Sequence, residues 1–410
     1  MPEVGVIALV PDAWGSWWQP RHHVLTKLAQ YFHVVWVAPA PSWRGGLRIG
    51  KSRNLHDAGT VIPPRLMVYE PEVWLPKLYR PEWLAKFTFD TRIRRARRML
   101  TSRGCRKIVL YIWRPEFGGA LDSIPCDLSC YHIDDEYSFS AVAVPFDPKE
   151  LELIARVDQV FIHSPGLIER KGTINPNTTF CPNGVDYDAY SKEAPEPLDL
   201  SSIPHPRIGY TGWIKRQLDW PLLVHLTRSH PGWSFVFVGP QSPHSEIAPI
   251  IEQLSRQRNV HFLGAKSVSE LAAYPQHFDV CIMPYALSDN YNKYIYPLKL
   301  HEYLASGCPI VGARIWSLEK FSGLLTLAET PDEWSAAIAE RMSPSANTFE
   351  CRVARQTIAK RHDWKFLVGN IARTIAEKLG QEVVHRSEGF TKQELDPSRP
   401  DHAVKSAHLQ

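Results

Sequence analysis

Short runs of consecutive apolar residues recur along the chain, each followed by a polar loop and then by an apolar stripe of helical period. Val4 to Val10 is the first such run, and the loop from Pro11 to Pro20 leads into a stripe through Val24, Leu25 and Leu28. Val34 to Ala38 is the next, so the chain starts with a strand, a loop, a helix and a second strand, the unit from which parallel sheets are built. Further strand-like runs are Lys107 to Trp113, Leu128 to Ile133 and Val157 to Ser164. Phe180-Cys-Pro-Asn-Gly-Val-Asp186 then makes an Asn-Gly turn.

From Ala194 to Pro206 the chain is Pro-rich and carries neither period, which predicts a linker. Alternation resumes beyond it with Arg207 to Gly212, Trp233 to Gly239, Val260 to Gly264 and Phe278 to Pro284. Tyr294 to Ala313 is the densest stretch. Pro297 stands where a helix begins, Leu298, Leu300, Tyr303 and Leu304 give it an apolar face, and Gly307 with Pro309 stops it before a strand at Ile310 to Ala313. Periodicity predicts helices over Asp332 to Met342 and Cys351 to Leu379, and residues 385–410 are polar and unpatterned, with disorder expected. The pattern therefore predicts an α/β protein of two Rossmann-like halves: 1–193, a linker at 194–206, 207–360, a final helix within 361–384, and a tail.

Composition changes this picture little. A chain of 410 residues is too long for one ordinary core, and 44% hydrophobic with 22% charged residues is the balance of a globular protein. The net charge of +4 argues against a dedicated nucleic-acid binder, and the seven cysteines form no CxxC pair, so neither zinc nor a disulfide framework is expected. The N-terminal apolar run reads as a buried strand and is too short, with no basic flank, for a signal peptide. A cytoplasmic protein is the expectation.

Charge is uneven. Between Lys77 and Lys107 stand eleven Lys or Arg against Glu82 and Asp90, with Trp74, Tyr79, Trp83 and Phe87 interleaved. Over 74–107 this suits peripheral contact with an anionic membrane; a solvated Arg-rich helix and a nucleic-acid surface use the same charges.

Candidate chemistry gathers after strands, where parallel sheets bind ligands. Gly15 and Arg21 follow the first strand, although Arg21 also reads as an ordinary exposed charge; the loop carries no GxGxxG fingerprint. Asp134-Asp135-Glu136 follows the strand that contains His132. Like charges this close raise one another's pKa, as a proton acceptor requires, while an Asp helix cap is the plain alternative and His132 reads more simply as packed. Lys215 and Arg216 follow Gly212 as diphosphate-type cations. In the Tyr294 to Ala313 stretch, Lys299 joins a helix N-terminus whose first N–H groups suit a diphosphate, and Glu302, three residues on, shares its face and suits a ribose diol. An amphipathic surface helix accounts for the same residues.

Lys299-Leu-His-Glu302 through Gly307-Cys-Pro-Ile-Val resembles the nucleotide-sugar motif of family-4 glycosyltransferases of GT-B fold, nearest the teichuronic-acid and exopolysaccharide branch, and Pro182-Asn-Gly-Val-Asp186 resembles a turn of the same family. The resemblance implies two domains facing across a cleft, with the C-terminal helix crossing back. It implies Lys299, Lys215, Arg216, Pro297, Leu298 and Gly15 on the donor diphosphate, and Glu302, Leu300, Gly212 and Gly264 around ribose and base. It places Asp135 or Asp134 on the acceptor hydroxyl, with Arg21, His132, Tyr294 and Lys293 toward acceptor or sugar.

The sequence departs from the family pattern in two places. Trp213 and Leu218 stand where relatives carry Arg and Lys, and Tyr294 stands where they carry a second Glu. The implied activity is sugar transfer from a nucleotide-diphosphate donor to a carbohydrate or lipid-linked acceptor, retaining, with no metal or other cofactor, in bacterial polysaccharide or glycolipid synthesis at the inner face of the plasma membrane. A nucleotide-sugar epimerase and a non-catalytic binding protein are the alternatives.

Overall fold

The computed structural model describes residues 3–41, 62–137, 147–242, 246–287 and 294–380. Lys293 and the tail from residue 385 lie outside them. The chain divides into two units. Unit 1 runs to Asn183 and takes in Tyr294–Tyr296 and the segment from Leu367; unit 2 comprises Gly184–Lys293 and Pro297–Phe366.

Among the described residues, unit 1 holds a parallel sheet of β1 (Val4–Leu9), β2 (His33–Val37), β3 (Leu66–Tyr69), β4 (Lys107–Ile112), β5 (Leu128–Ile133), β6 (Gln159–Ile162) and β7 (Thr178–Phe180), in the order β3-β2-β1-β4-β5-β6-β7. Strands this apolar are buried on both faces, and helices supply the cover. Ile7, Leu9, Leu110, Ile112 and Ile133 form its core with Ile93, Ala96 and Leu100 of the helix Glu82–Thr101.

Unit 2 repeats the plan with β8 (Arg207–Thr211), β9 (Ser234–Val238), β10 (Val260–Gly264), β11 (Val280–Met283), β12 (Ile310–Ala313) and β13 (Thr326–Ala328), ordered β10-β9-β8-β11-β12-β13 and parallel throughout. Several of its helices start on side-chain caps. Asp219 accepts from the Leu222 N–H at 2.9 Å, and Thr330 with Glu333 forms a reciprocal capping box.

In each sheet the strand order reverses once, between β1 and β4 in unit 1 and between β8 and β11 in unit 2. Loops leaving the strands on either side of a reversal diverge, which opens a crevice at the carboxyl ends. The functional candidates fall beside these two points.

One boundary differs from the sequence-based expectation. The units divide at Asn183 and Gly184, ahead of the Pro-rich stretch, which is packed onto unit 2: Leu200 and Ile203 are buried, and Glu196 pairs with Arg207. Proline content marks the absence of regular structure and says nothing about burial. The final helix, Trp364–Lys378, starts in unit 2 and continues in unit 1 from Leu367.

Candidate functional site

Unit 2 presents a ledge of bare backbone at the carboxyl ends of β8, β9 and β10. Gly212, Gly239 and Gly264 end the three strands, and the N–H of Gly212 donates to Val238 O and that of Gly239 to Gly264 O, each at 2.8 Å. Gly212 and Gly239 adopt φ +111° and +151°, and a Cβ on Gly239 would lie 2.1 Å from the Gly212 carbonyl oxygen. Only glycine fits there. The close approach packs the ends of the strands together, with the Lys299 side chain as the neighbour that a Gly212 Cβ would meet.

Lys299 stands over the ledge. Its Nζ lies 3.5 Å from where a Gly212 Cβ would be, donates to Tyr285 Oη at 3.0 Å, and sits 4.8 and 5.4 Å from the ring centres of Tyr210 and Tyr285. Among the described residues no carboxylate lies within ion-pair distance of it. The ammonium is held by π faces and a hydroxyl, which fix its position, and the Glu302 carboxyl one turn along feels its charge without pairing with it.

The helix Leu298–Ser306 carries this lysine in its first turn. Pro297 is its N-cap, no side chain caps the end, and Gly307 closes it at φ +76°. The first N–H groups are thus left to a ligand or to solvent.

Glu302 lies one turn along, beside Tyr190, whose hydroxyl hydrogen-bonds to it. Burial pushes the Glu302 carboxyl above its ordinary range, against the opposing pull of Lys299 and of the Tyr190 hydrogen bond. Leu300 is buried. Lys215 is half-buried and Arg216 exposed in the loop after β8, where Tyr210 Oη anchors the Trp213 carbonyl at 2.8 Å. Gly212, Gly264, Pro297, Leu298, Lys299 and Glu302 therefore all belong to the carboxyl end of one sheet.

Unit 1 gathers a different set at its own reversal. Arg21 is buried and ion-pairs with Asp12 and, through Nη1 at 2.6 Å, with Asp134 Oδ2; the Tyr137 hydroxyl donates to the other Asp134 oxygen. Burial acts to raise the Asp134 carboxyl, but Arg21, then Arg114, then the Tyr137 hydrogen bond outweigh it and hold it below the usual carboxylate range. The expected mutual raising of neighbouring acids is not what Asp134 experiences, because two guanidinium groups reach it from elements distant in sequence.

Asp135 is half-buried, and its Oδ1 accepts the Glu136 N–H at 2.8 Å. Glu136 is buried and meets Lys171 at 2.9 Å, with Glu150 on the same ammonium at 2.8 Å. The three consecutive acids thus have three surroundings.

His132 is buried in the sheet packing, stacked on Trp113 at 4.2 Å and bonded to Tyr111 Oη at 2.9 Å, and burial pushes its pKa down to about 3. It is a core residue of unit 1. Arg21 is likewise no exposed charge. Gly15 is exposed in the loop after β1. Tyr294 belongs to unit 1, where its hydroxyl accepts from Arg170 at 2.9 Å.

Tyr210, Tyr285, Tyr190, Gly239, Asp12, Arg114 and Tyr137 were not singled out from sequence. A second strand-Gly-Pro ending at Gly239, like the strand-Gly ending at Gly212, was the one available signal for the ledge.

Residues 206–343 match the family model described as Glycosyl transferases group 1. TuaH of Bacillus subtilis (strain 168), assigned to teichuronic acid biosynthesis as a glycosyltransferase, is 29% identical over 234 residues, covering 55% of this chain and 58% of its own. The chain thus spans little more than half of that curated relative's length. Among solved structures, sucrose-phosphate synthase from Thermosynechococcus elongatus aligns over 92% of this chain and 99% of its own with a TM-score of 0.67 at 14% identity. Anabaena HepE, solved with UDP and glucose, aligns over 92% and 100% with a TM-score of 0.65 at 15% identity. At these identities the likeness shows the fold, which is GT-B.

Proposed function

We propose that this chain, with its group 1 glycosyl transferase match over residues 206–343, moves a sugar from a nucleotide-diphosphate donor to an acceptor hydroxyl. The observation that carries the reading is Lys299: a fixed ammonium with no carboxylate partner among the described residues, at an uncapped helix N-terminus, above a glycine ledge. Such an arrangement suits a diphosphate whose charge grows as it leaves. The name of TuaH and the UDP and glucose in the HepE structure favour a UDP-sugar and a role in bacterial polysaccharide or glycolipid synthesis.

In the proposed reaction the bond from the sugar anomeric carbon to the diphosphate oxygen breaks, and its electron pair goes to the diphosphate. A bond from that carbon to the acceptor oxygen forms, and the hydroxyl proton passes to a carboxylate or to the leaving phosphate. Lys299, the N–H groups after Pro297 and the cations Lys215 and Arg216 offset the leaving charge without a metal ion, and Glu302 accepts from the ribose hydroxyls. Asp135 or Asp134 is the proton acceptor of the proposed reaction, and Asp134 also carries Arg21 and Tyr137. Retention of anomeric configuration is part of the proposal, as is work at the cytoplasmic face of a membrane.

Thermal stabilisation and hydrolysis of UDP-, GDP-, dTDP- and ADP-sugars in EDTA, with wild type beside Lys299→Ala, tests the reading. One nucleotide should stabilise the wild type selectively and lose its effect in the variant. No response to any nucleotide, or an equal response in both proteins, sinks it. Donor epimerisation without acceptor would convert the reading to that of an epimerase.

A further inference from the structure

Five of the exposed large hydrophobic residues, Val73, Trp74, Tyr79, Trp83 and Phe87, fall within one short stretch of unit 1. Tyr79 is 76%, Trp83 70%, Trp74 63% and Phe87 57% exposed. Isolated exposed rings need no explanation, but a contiguous group of them does.

Helical spacing arranges the rest. Trp83, Phe87, Arg94 and Arg98 fall within about 60° of one another around the helix Glu82–Thr101, and all four are exposed. Ile93, Ala96 and Leu100 lie on the buried side. The outward stripe therefore begins with two rings and continues as cations.

The adjoining loop is fixed to this helix. Arg92, though basic, is buried and donates from Nη1 to the carbonyls of Leu75 and Pro76 at 3.0 Å each, and Arg95 pairs with Glu72 and lies over the Trp74 ring at 4.7 Å. Two of the eleven basic residues are thus spent on construction. Lys77, Arg80 and Arg98 are exposed with no carboxylate partner among the described residues. Lys86 and Arg94 lean on Asp90 at 3.2 and 3.7 Å but keep side chains 60% and 54% exposed.

We propose that this face of unit 1, the loop at residues 73–80 with the outward stripe of the following helix, docks on a membrane surface of anionic lipid. The rings of Tyr79, Trp83 and Phe87 enter the headgroup layer, and Lys77, Arg80, Arg94 and Arg98 meet the lipid phosphates. A merely solvated basic face has no use for outward Trp and Phe. Base stacking calls for rings along the whole cationic path, whereas here Arg94 and Arg98 continue for about three turns past Phe87, the last exposed ring of the helix. No helix among the described residues is long and apolar enough to cross a bilayer, and the proposed contact needs none.

Cosedimentation of the full chain with vesicles of phosphatidylcholine alone, and of phosphatidylcholine with one third phosphatidylglycerol, tests this. Binding to the anionic vesicles alone, weakened by salt, is expected. The double variant Trp83→Ala with Phe87→Ala should lower partitioning by at least about tenfold while its circular dichroism melt is unchanged, because both rings are outside the core. Arg94→Glu with Arg98→Glu should lower it on anionic vesicles by at least about tenfold.

Wild type that stays in the supernatant, or binding that neither variant changes, overturns the proposal. Preference for duplex DNA or RNA over the vesicles, insensitive to loss of the two rings, overturns it in favour of a nucleic-acid surface. The outcome is separate from the donor reading, since nucleotide stabilisation is measured without lipid and Lys299 belongs to unit 2.

Discussion

The two sheets end in the same way and hold opposite electrostatic states at their reversal points. In unit 1 the cation Arg21 is already matched by Asp12 and Asp134, with Tyr137 on the remaining oxygen. In unit 2 the cation Lys299 is matched by ring faces and a hydroxyl, and the nearby acid, Glu302, is bonded to Tyr190. A buried charge needs a partner, and unit 1 provides it from its own chain. Unit 2 leaves the place open. The same topology thus yields a self-satisfied network in one half and a candidate anion site in the other, so fold alone does not tell which sheet end binds phosphate.

Breaking the satisfied network should have the largest effect. Asp134→Ala leaves Arg21 buried with one partner fewer and is expected to destabilise the protein by about 3–5 kcal/mol, read by urea denaturation. A loss below about 1 kcal/mol would mean that the pair contributes to chemistry more than to stability.

Lys299→Ala sharpens the contrast from the other side. Because Lys299 makes no ion pair among the described residues and acts on Glu302 only through space, stability should change by about 1 kcal/mol, while affinity for the donor nucleotide falls by about 10- to 100-fold in calorimetric titration. Equal losses of stability at Lys299 and Asp134 would erase the distinction.

The ledge comes next. Gly239→Ala forces a Cβ against the Gly212 carbonyl and is expected to cost about 1–3 kcal/mol, with nucleotide binding lost beyond that figure if the ledge carries the ligand.

The smallest effect is a pH limb. Since Glu302 is raised in the folded state, the stability linked to its protonation is fully present below the ordinary Glu value of 4.5 and is lost as pH rises through the higher native value. Nucleotide affinity has the opposite dependence, because only the ionised carboxylate accepts from a ribose diol without restriction. It should weaken as pH falls through that same raised value, and Glu302→Gln should remove the limb from both curves. A limb that persists in the variant belongs to another group.

Much of this was legible along the chain. Strand and helix alternation, the Pro297 to Gly307 helix, the glycine after β8 and the placing of Lys299 and Glu302 on one helix face all follow from local pattern, because period, cap and turn chemistry act over a few residues. The group 1 match to residues 206–343 lies over the half where these patterns are densest. The basic excess of 77–107 was also visible, but its sorting into buried Arg92, paired Arg95 and exposed Arg98 was not.

Partnership was decided by tertiary structure. Asp134 and Asp135 are adjacent in sequence, yet one is clamped by Arg21 from another part of the chain and the other is half-buried with a local N–H bond. Tyr285 and Tyr210 reach Lys299 only because β8 and β11 lie side by side at the reversal. Residue type and spacing set what a group can do within one turn or strand. Whether its charge is cancelled depends on groups brought within a few ångströms from elements far apart in sequence, and neither hydrophobic period nor composition carries that information.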